Sequence, residues 1–142
     1  MGMIIALHFH LLKIKNNKMK KVAVFENEYN LIDTIFDTAN YYYFNNELDF
    51  EYFPSSQSLS PFEKIKEFQI VIVDISLSQK SELDGYSLLA KLEELEPKPA
   101  IIILTGHSKV AENLKLKNLP AYPIINKPLA IEDFVSTLTA FV

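Results

Sequence analysis

The sequence predicts an α/β fold: a doubly wound, five-stranded parallel sheet with helices on both faces. Three observations predict it. Apolar runs without a polar face, at residues 22–25, 70–73 and 100–104, read as strands buried on both sides, the pattern of parallel sheets. Segments with helical apolar spacing alternate with the strands, which implies right-handed crossovers and two helical layers. The runs also stop abruptly at polar residues, Glu26, Asp74 and Thr105. For such a sheet the expected strand order is 2-1-3-4-5, with a switch point between the first and third strands where Glu26 and Asp74 flank a crevice.

The bulk composition fits one domain. A chain of 142 residues, 49% apolar and 23% charged, can bury one core and is too short for two ordinary ones. A net charge of −4 argues against a nucleic-acid surface, which would carry a basic patch. With no cysteine there is no disulfide framework, thiolate metal site or cysteine nucleophile, a composition that suits the cytoplasm.

Residues 1–18 read as an upstream extension or leader, and 19–142 as the folded domain. The apolar segment from Met3 to Leu12 is ten residues long, short of the roughly 20 that a spanning helix needs. No membrane association is expected, and no basic region or cleavage site marks a signal peptide. His8 and His10 could share one face of a strand, but two histidines alone make a poor metal site.

In order, residues 22–25 form the first strand, and Glu26-Asn27-Glu28 the loop after it. Leu31, Ile32, Ile35, Phe36 and Ala39 then recur at helical spacing, predicting a helix to about Tyr43. The cluster Tyr41 to Phe44 reads as helix end and core edge. Residues 48–53 alternate apolar and acidic side chains, the signature of a half-buried edge strand. Ser60, Pro61 and Glu63 predict a capping box opening a short helix to about Glu67.

The central strand ends at Asp74, and a polar loop runs to Asp84, a candidate cap for a helix whose face carries Leu88, Leu89, Leu92 and Leu95. Residues 100–105 repeat the buried-strand pattern and Gly106 turns the chain. A helix over about 109–119, a short strand over 122–125 and an amphipathic helix from Ile131 to the carboxyl end complete the alternation.

Brought to one rim, the strand ends supply Glu26 and Asn27, Asp74, Thr105 and Lys127. Carboxylates without nitrogen or sulfur ligands suit a hard cation such as Mg²⁺. A lysine about 4 Å from a carboxylate contributes roughly 4 kcal/mol of gross attraction at an effective dielectric near 20. Singly, each of these residues fits a structural ion pair or a turn; in this order, together, they suggest a site.

The chain from about Lys20 onward resembles the receiver domains of two-component response regulators, a flavodoxin-like fold. The resemblance rests on Val22-Ala-Val-Phe-Glu-Asn-Glu28, Ile70-Val-Ile-Val-Asp74, Asp84-Gly-Tyr86, Ile101-Ile-Ile-Leu-Thr-Gly106, Asn126-Lys-Pro-Leu129 and a Thr105-to-Lys127 spacing of 22. It implies that Asp74 accepts a phosphoryl group from a histidine kinase or phosphotransfer protein. It also implies Mg²⁺ held by Asp74, Glu26, Asn27 and the main-chain carbonyl of Ser76, with Thr105 and Lys127 bonding the phosphoryl group. Such a domain signals rather than acting as an enzyme in its own right, although it can catalyse its own phosphotransfer and dephosphorylation. Its output would be contact with a downstream protein through the face around the helix after the fourth strand and the fifth strand. A homodimer is among the assemblies the resemblance allows.

Three positions depart from the family pattern. The second acidic position is Asn27; the 74–84 loop is about three residues longer than the pattern and lacks its Met-Pro; and Ile124 stands where a switch Tyr or Phe is usual, with Tyr122 two residues earlier. Two other classes stay open on sequence. One is a receiver-like interaction module that takes no phosphate. The other is a flavodoxin-like cofactor binder, for which Glu26-Asn-Glu-Tyr-Asn30 is the wrong chemistry to cradle an anion.

Overall fold

A computed structural model describes residues 19–142. The expectations for the leader and for His8 and His10 lie outside the described residues. Five strands, β1 (Lys20–Phe25), β2 (Leu48–Phe53), β3 (Ile70–Asp74), β4 (Ala100–Thr105) and β5 (Ile124–Asn126), form one sheet in the order β2-β1-β3-β4-β5. All four neighbouring pairs are parallel. Four α-helices connect or follow them: α1 (Asp33–Tyr43), α2 (Gly85–Glu93), α3 (Val110–Leu116) and α4 (Ile131–Thr139). The β2–β3 connection holds two 3-10 segments, Ser56–Ser58 and Phe62–Glu67.

Strand alternation divides the core in two. One face of the sheet presents Ala23, Phe25, Val71, Val73, Ile101 and Ile103 to Leu88, Leu89 and Leu92 of α2 and to Val110 and Leu114 of α3. The other presents Val22, Val24, Ile70, Ile72, Ile102 and Leu104 to α1 and α4. There Phe36 stacks on Phe134 at 4.2 Å between ring centres, both fully buried. Each such side chain contributes about 1.5–3 kcal/mol by leaving water.

Local chemistry explains where the elements start and stop. Asp84 caps α2, accepting from the Ser87 N–H at 2.7 Å and completing one of the orphan bonds of a helix start. Asn40 joins α1 to β2: its amide donates to the Leu48 carbonyl at 2.8 Å and accepts from the Leu48 N–H at 3.2 Å. Asn45 and Asn46, at φ 54° and 56°, turn the chain between them in the left-handed region that asparagine tolerates.

Several boundaries differ from the sequence expectation. Ser60 does not cap: Pro61 stands extended at the cap position with ψ 159°, so the turn opens one residue later and no side-chain cap bond forms. The capping box lies upstream instead, between Ser55 and Ser58. The helix expected from Asn30 begins as a separate 3-10 turn, Tyr29–Leu31, before α1. Helix α3 stops at Leu116, two residues before Asn118 at φ 56°, and β5 starts at Ile124, leaving Tyr122 before the strand. Tyr41, Tyr42 and Tyr43 are exposed at the end of α1, while Phe44 alone of the cluster packs into the core.

The long loop after β3 is held from the edge of the sheet. Ser56 and Gln57 accept from the backbone N–H groups of Leu83 and Glu82, at 3.0 and 2.8 Å, and Gln57 donates to the Lys80 carbonyl at 2.7 Å. Ser81 Oγ accepts from the Ser56 N–H at 2.8 Å and donates to the Leu83 carbonyl at 2.6 Å.

Candidate phosphoacceptor site

The carboxyl ends of β1, β3, β4 and β5 meet at one rim. Glu26 follows β1 directly, its N–H paired with the Phe53 carbonyl of the edge strand at 3.0 Å. Asp74 closes β3 in register with Leu104, and the next N–H, of Ile75, donates to the Leu104 carbonyl. Lys127 follows β5, and its N–H donates to the Thr105 carbonyl at 2.8 Å. The sheet's hydrogen bonding thus fixes the backbone from which each of these side chains starts.

The Lys127 ammonium donates to Glu26 Oε1 at 2.9 Å and to Asp74 Oδ2 at 3.1 Å. Both acids are 2% exposed. Burial, and then the neighbouring Asp74, push the Glu26 carboxyl up to about 7 against the opposing pull of Lys127. Burial pulls Lys127 down, but the hydrogen bond to Glu26 and the charges of Asp74 and Glu26 outweigh it and hold the ammonium above its ordinary value. Among the described residues Glu26 Oε2 is buried without a hydrogen-bond partner. A buried carboxylate oxygen left unpaired is costly, and a cation held there would satisfy it.

Thr105 is fully buried, and its Oγ1 accepts from the His107 N–H at 3.0 Å rather than touching Asp74 or Lys127. The Ser76 N–H donates to Asp74 Oδ1 at 2.9 Å. Asn27 stands exposed in the turn after Glu26, apart from the hydrogen bonds that join the two acids to Lys127. Among the described residues no group of three acidic, histidine or cysteine side chains could hold a metal ion. Two carboxylates, an amide and a main-chain carbonyl are nevertheless a donor set that Mg²⁺ accepts, since it keeps several waters.

Gly85, at the start of α2, is set hard against the site. A Cβ there would fall 2.5 Å from Ile75 Cα, 2.6 Å from the Ile75 carbonyl oxygen and 2.9 Å from that of Asp74. The sequence showed a glycine after a capping acid; only the close approach of two backbones explains it. His107 also escaped the sequence reading, although it stands two residues past Thr105 as Ser76 stands two past Asp74.

Fold and rim together define the class: a doubly wound α/β domain with buried acids, a lysine and a hydroxyl at its switch point. The family model for the response regulator receiver domain matches residues 45–139, more than half of the chain, so this chain belongs to the receiver domain family. Glu26 and Asn27 precede the matched span. The receiver domain of a CheY-like response regulator from Methanospirillum hungatei JF-1 superposes with a TM-score of 0.65 at 19% identity, covering 87% of this chain and 93% of that one. The receiver domain of NtrX from Brucella abortus gives 0.63 at 21% identity, over 84% and 95%. The receiver domain of a Luxo repressor protein from Vibrio parahaemolyticus gives 0.61 at 17% identity, over 86% and 88%. No curated protein matches the chain. These likenesses establish the fold, and no helix among the described residues is long and apolar enough to cross a membrane.

Proposed function

We propose that residues 19–142 form a phosphorylation-switched receiver in which Asp74 takes a phosphoryl group from a histidine kinase or phosphotransfer protein. The observation that carries this reading is the single ammonium of Lys127 bridging two buried carboxylates, Asp74 and Glu26, at the switch point of the sheet. An Asp74 oxygen forms the bond to phosphorus as the donor's bond breaks. Lys127 stays with the transferring group as an ammonium, since its neighbours hold its proton. Phosphoryl transfer depends mainly on such positioning and charge stabilisation. Glu26, Asp74, Asn27 and the Ser76 carbonyl would hold Mg²⁺, which when bound neutralises phosphoryl oxygens. Thr105, now engaged by His107, would turn its hydroxyl to the phosphoryl group.

A phosphate adds nearly two negative charges and strong acceptors. Drawing in Thr105 would move the loop after β4 and change the surface around α3 and β5, the face offered to a downstream protein. Residues 1–18 are read as an extension outside this unit, and the compartment as cytoplasmic.

Intact-mass measurement after treatment with acetyl phosphate tests the reading. One adduct of about 80 Da is expected, requiring both Mg²⁺ and Asp74, and absent in Asp74→Asn. No adduct in the unaltered protein would leave a receiver-fold interaction module that takes no phosphate, the alternative that the exposed Asn27 favours.

A further inference from the structure

The end of α1 carries a surface that the core does not use. Tyr41, Tyr42 and Tyr43 are 65%, 71% and 59% exposed, and among the described residues no other aromatic side chain is exposed. Three consecutive helical positions fan over about 200° of the helix circumference, so these side chains surround the helix end instead of lining one face. The Tyr41 and Tyr42 rings meet edge to face at 4.9 Å. The backbone beneath them is fixed: Asn40 clamps Leu48, the Asn46 N–H donates to the Asn40 carbonyl at 2.9 Å, and the Lys20 N–H donates to the Glu47 carbonyl at 2.9 Å. Lys20 and Leu48 open two parallel strands. The tyrosines therefore stand at the amino ends of the strands, whereas Asp74 closes β3 at its carboxyl end.

The charge around this surface has one sign. Residues 26–51 contain seven carboxylates and no lysine, arginine or histidine. Asp37, exposed, precedes Tyr41 by one turn on α1, and exposed Asp49 begins β2 beside the helix end. The two lysines of β1, in register with Leu48 and Asp49, are engaged elsewhere. Lys20 donates to the Phe141 carbonyl at 2.9 Å, and Lys21 lies over the Phe68 ring at 5.0 Å with Glu67 at 3.7 Å. The faces of aromatic rings are negative and attract cations, and a guanidinium both stacks on rings and pairs with carboxylates. An apolar partner would strip water from Asp37 and Asp49 without pairing them, and an anionic one would be repelled. We propose that this surface docks an arginine-rich segment of a partner protein, at the end of the molecule remote from the phosphoacceptor rim. Such a contact holds a partner while leaving the rim and the surface around α3 and β5 free.

Titration of the full ¹⁵N-labelled chain with an octa-arginine peptide tests the assignment, with amide shifts locating the contact. The shifts are expected to concentrate between Asp37 and Asp49, and an octa-glutamate peptide should cause none. Tyr41→Ser with Tyr42→Ser should weaken octa-arginine binding about five- to thirtyfold, the loss of two cation–π contacts. Tyr41→Phe with Tyr42→Phe should keep most of the affinity, and Asp37→Lys should lower it about two- to fivefold. Equal shifts at Glu94, Glu96, Glu132 and Asp133 would mean attraction by net charge alone and would overturn the site. Undiminished binding by the serine variant would do the same. Tyrosine shifts that move with protein concentration before peptide is added would give the surface to a second copy. Tighter peptide binding after Lys13→Gln, Lys15→Gln and Lys18→Gln would give it to the chain's own amino-terminal segment. Either of these results overturns the external partner.

Discussion

Lys127 reaches across 101 positions of sequence to Glu26 at 2.9 Å, yet the Glu26 carboxyl still titrates far above its ordinary value of 4.5, at about 7. Desolvation therefore outweighs the ion pair. Between those two values the folded protein holds a proton on Glu26 that the unfolded chain has released. Stability of the metal-free protein accordingly falls as pH rises through this window, and the loss is complete above about 7. Denaturant melts at pH 5 and pH 8 should show a drop of about 1–3 kcal/mol from this group, much reduced in Glu26→Gln. An equal drop in that variant would assign the slope to other residues.

Removing the ammonium should expose the same conflict. Lys127→Met leaves Glu26 and Asp74 buried side by side without their shared donor. Because Lys127 is 29% exposed, we expect a loss of about 1–3 kcal/mol at pH 8, below the range for fully buried pairs. At pH 5, with Glu26 protonated, the loss should shrink. Urea denaturation at the two pH values makes the comparison.

Asn27 leaves the site with two acids. Asn27→Asp adds a charge to a donor set whose cation affinity rises with ligand charge, and Mg²⁺ should bind about three- to tenfold more tightly. Calorimetric titration reads this directly. Unchanged affinity would mean that position 27 does not face the metal.

Gly85→Ala is expected to destabilise the fold by about 1–3 kcal/mol, the usual cost of overpacking, because its Cβ would meet backbone rather than a movable side-chain tip. The displaced atoms belong to Asp74 and Ile75. Amide chemical shifts of those two residues should move more than those of the far end of α2. A Gly85→Ala protein with wild-type stability and shifts would contradict the close approach.

Tyr122 is tethered rather than free. Its hydroxyl donates to Glu93 Oε1 at 2.6 Å, and Lys98 donates to the other oxygen of the same carboxylate at 2.7 Å. Burial, and then Glu93, raise the phenol above its ordinary value. Tyr122→Phe should cost about 0.5–1.5 kcal/mol. The Tyr122 ring resonances should stay in place on phosphorylation, and a large shift would make Tyr122 a moving part of the switch.

Much of this protein was readable because its signals are short-range or strictly periodic. The apolar runs of β3 and β4, the acid-apolar alternation of β2 and the Asp84 cap each follow from neighbouring residues, and the strand order follows from their alternation with helices. Glu26, Asp74 and Lys127 came together because the order brings three strand ends to one crevice. What escaped depends on contacts distant in sequence or on backbone angle. Pro61 extended rather than helical undid the Ser60 box, and serines replaced it one turn upstream. Nothing local announces that Ser56 and Gln57 grip a loop 25 residues away. The 2.6 Å contact of Ser76 with His107 spans 31 residues; only their matching offset from two adjacent strand ends hinted at it. The tyrosines of α1 read as core edge because aromatic composition says nothing about which way a helix end faces.

The two margins of the sheet set how this molecule can meet another. Among the described residues strand β2 borders only β1 and carries exposed Asp49 and Glu51, so a second copy laid along it would bring carboxylates toward carboxylates. Strand β5, at the opposite margin, offers only three residues, too few to template a neighbour. Growth by strand addition is discouraged at both ends. Association through helices and loops is left as the open route, and such contacts can be made and released without unpicking a ladder of backbone hydrogen bonds.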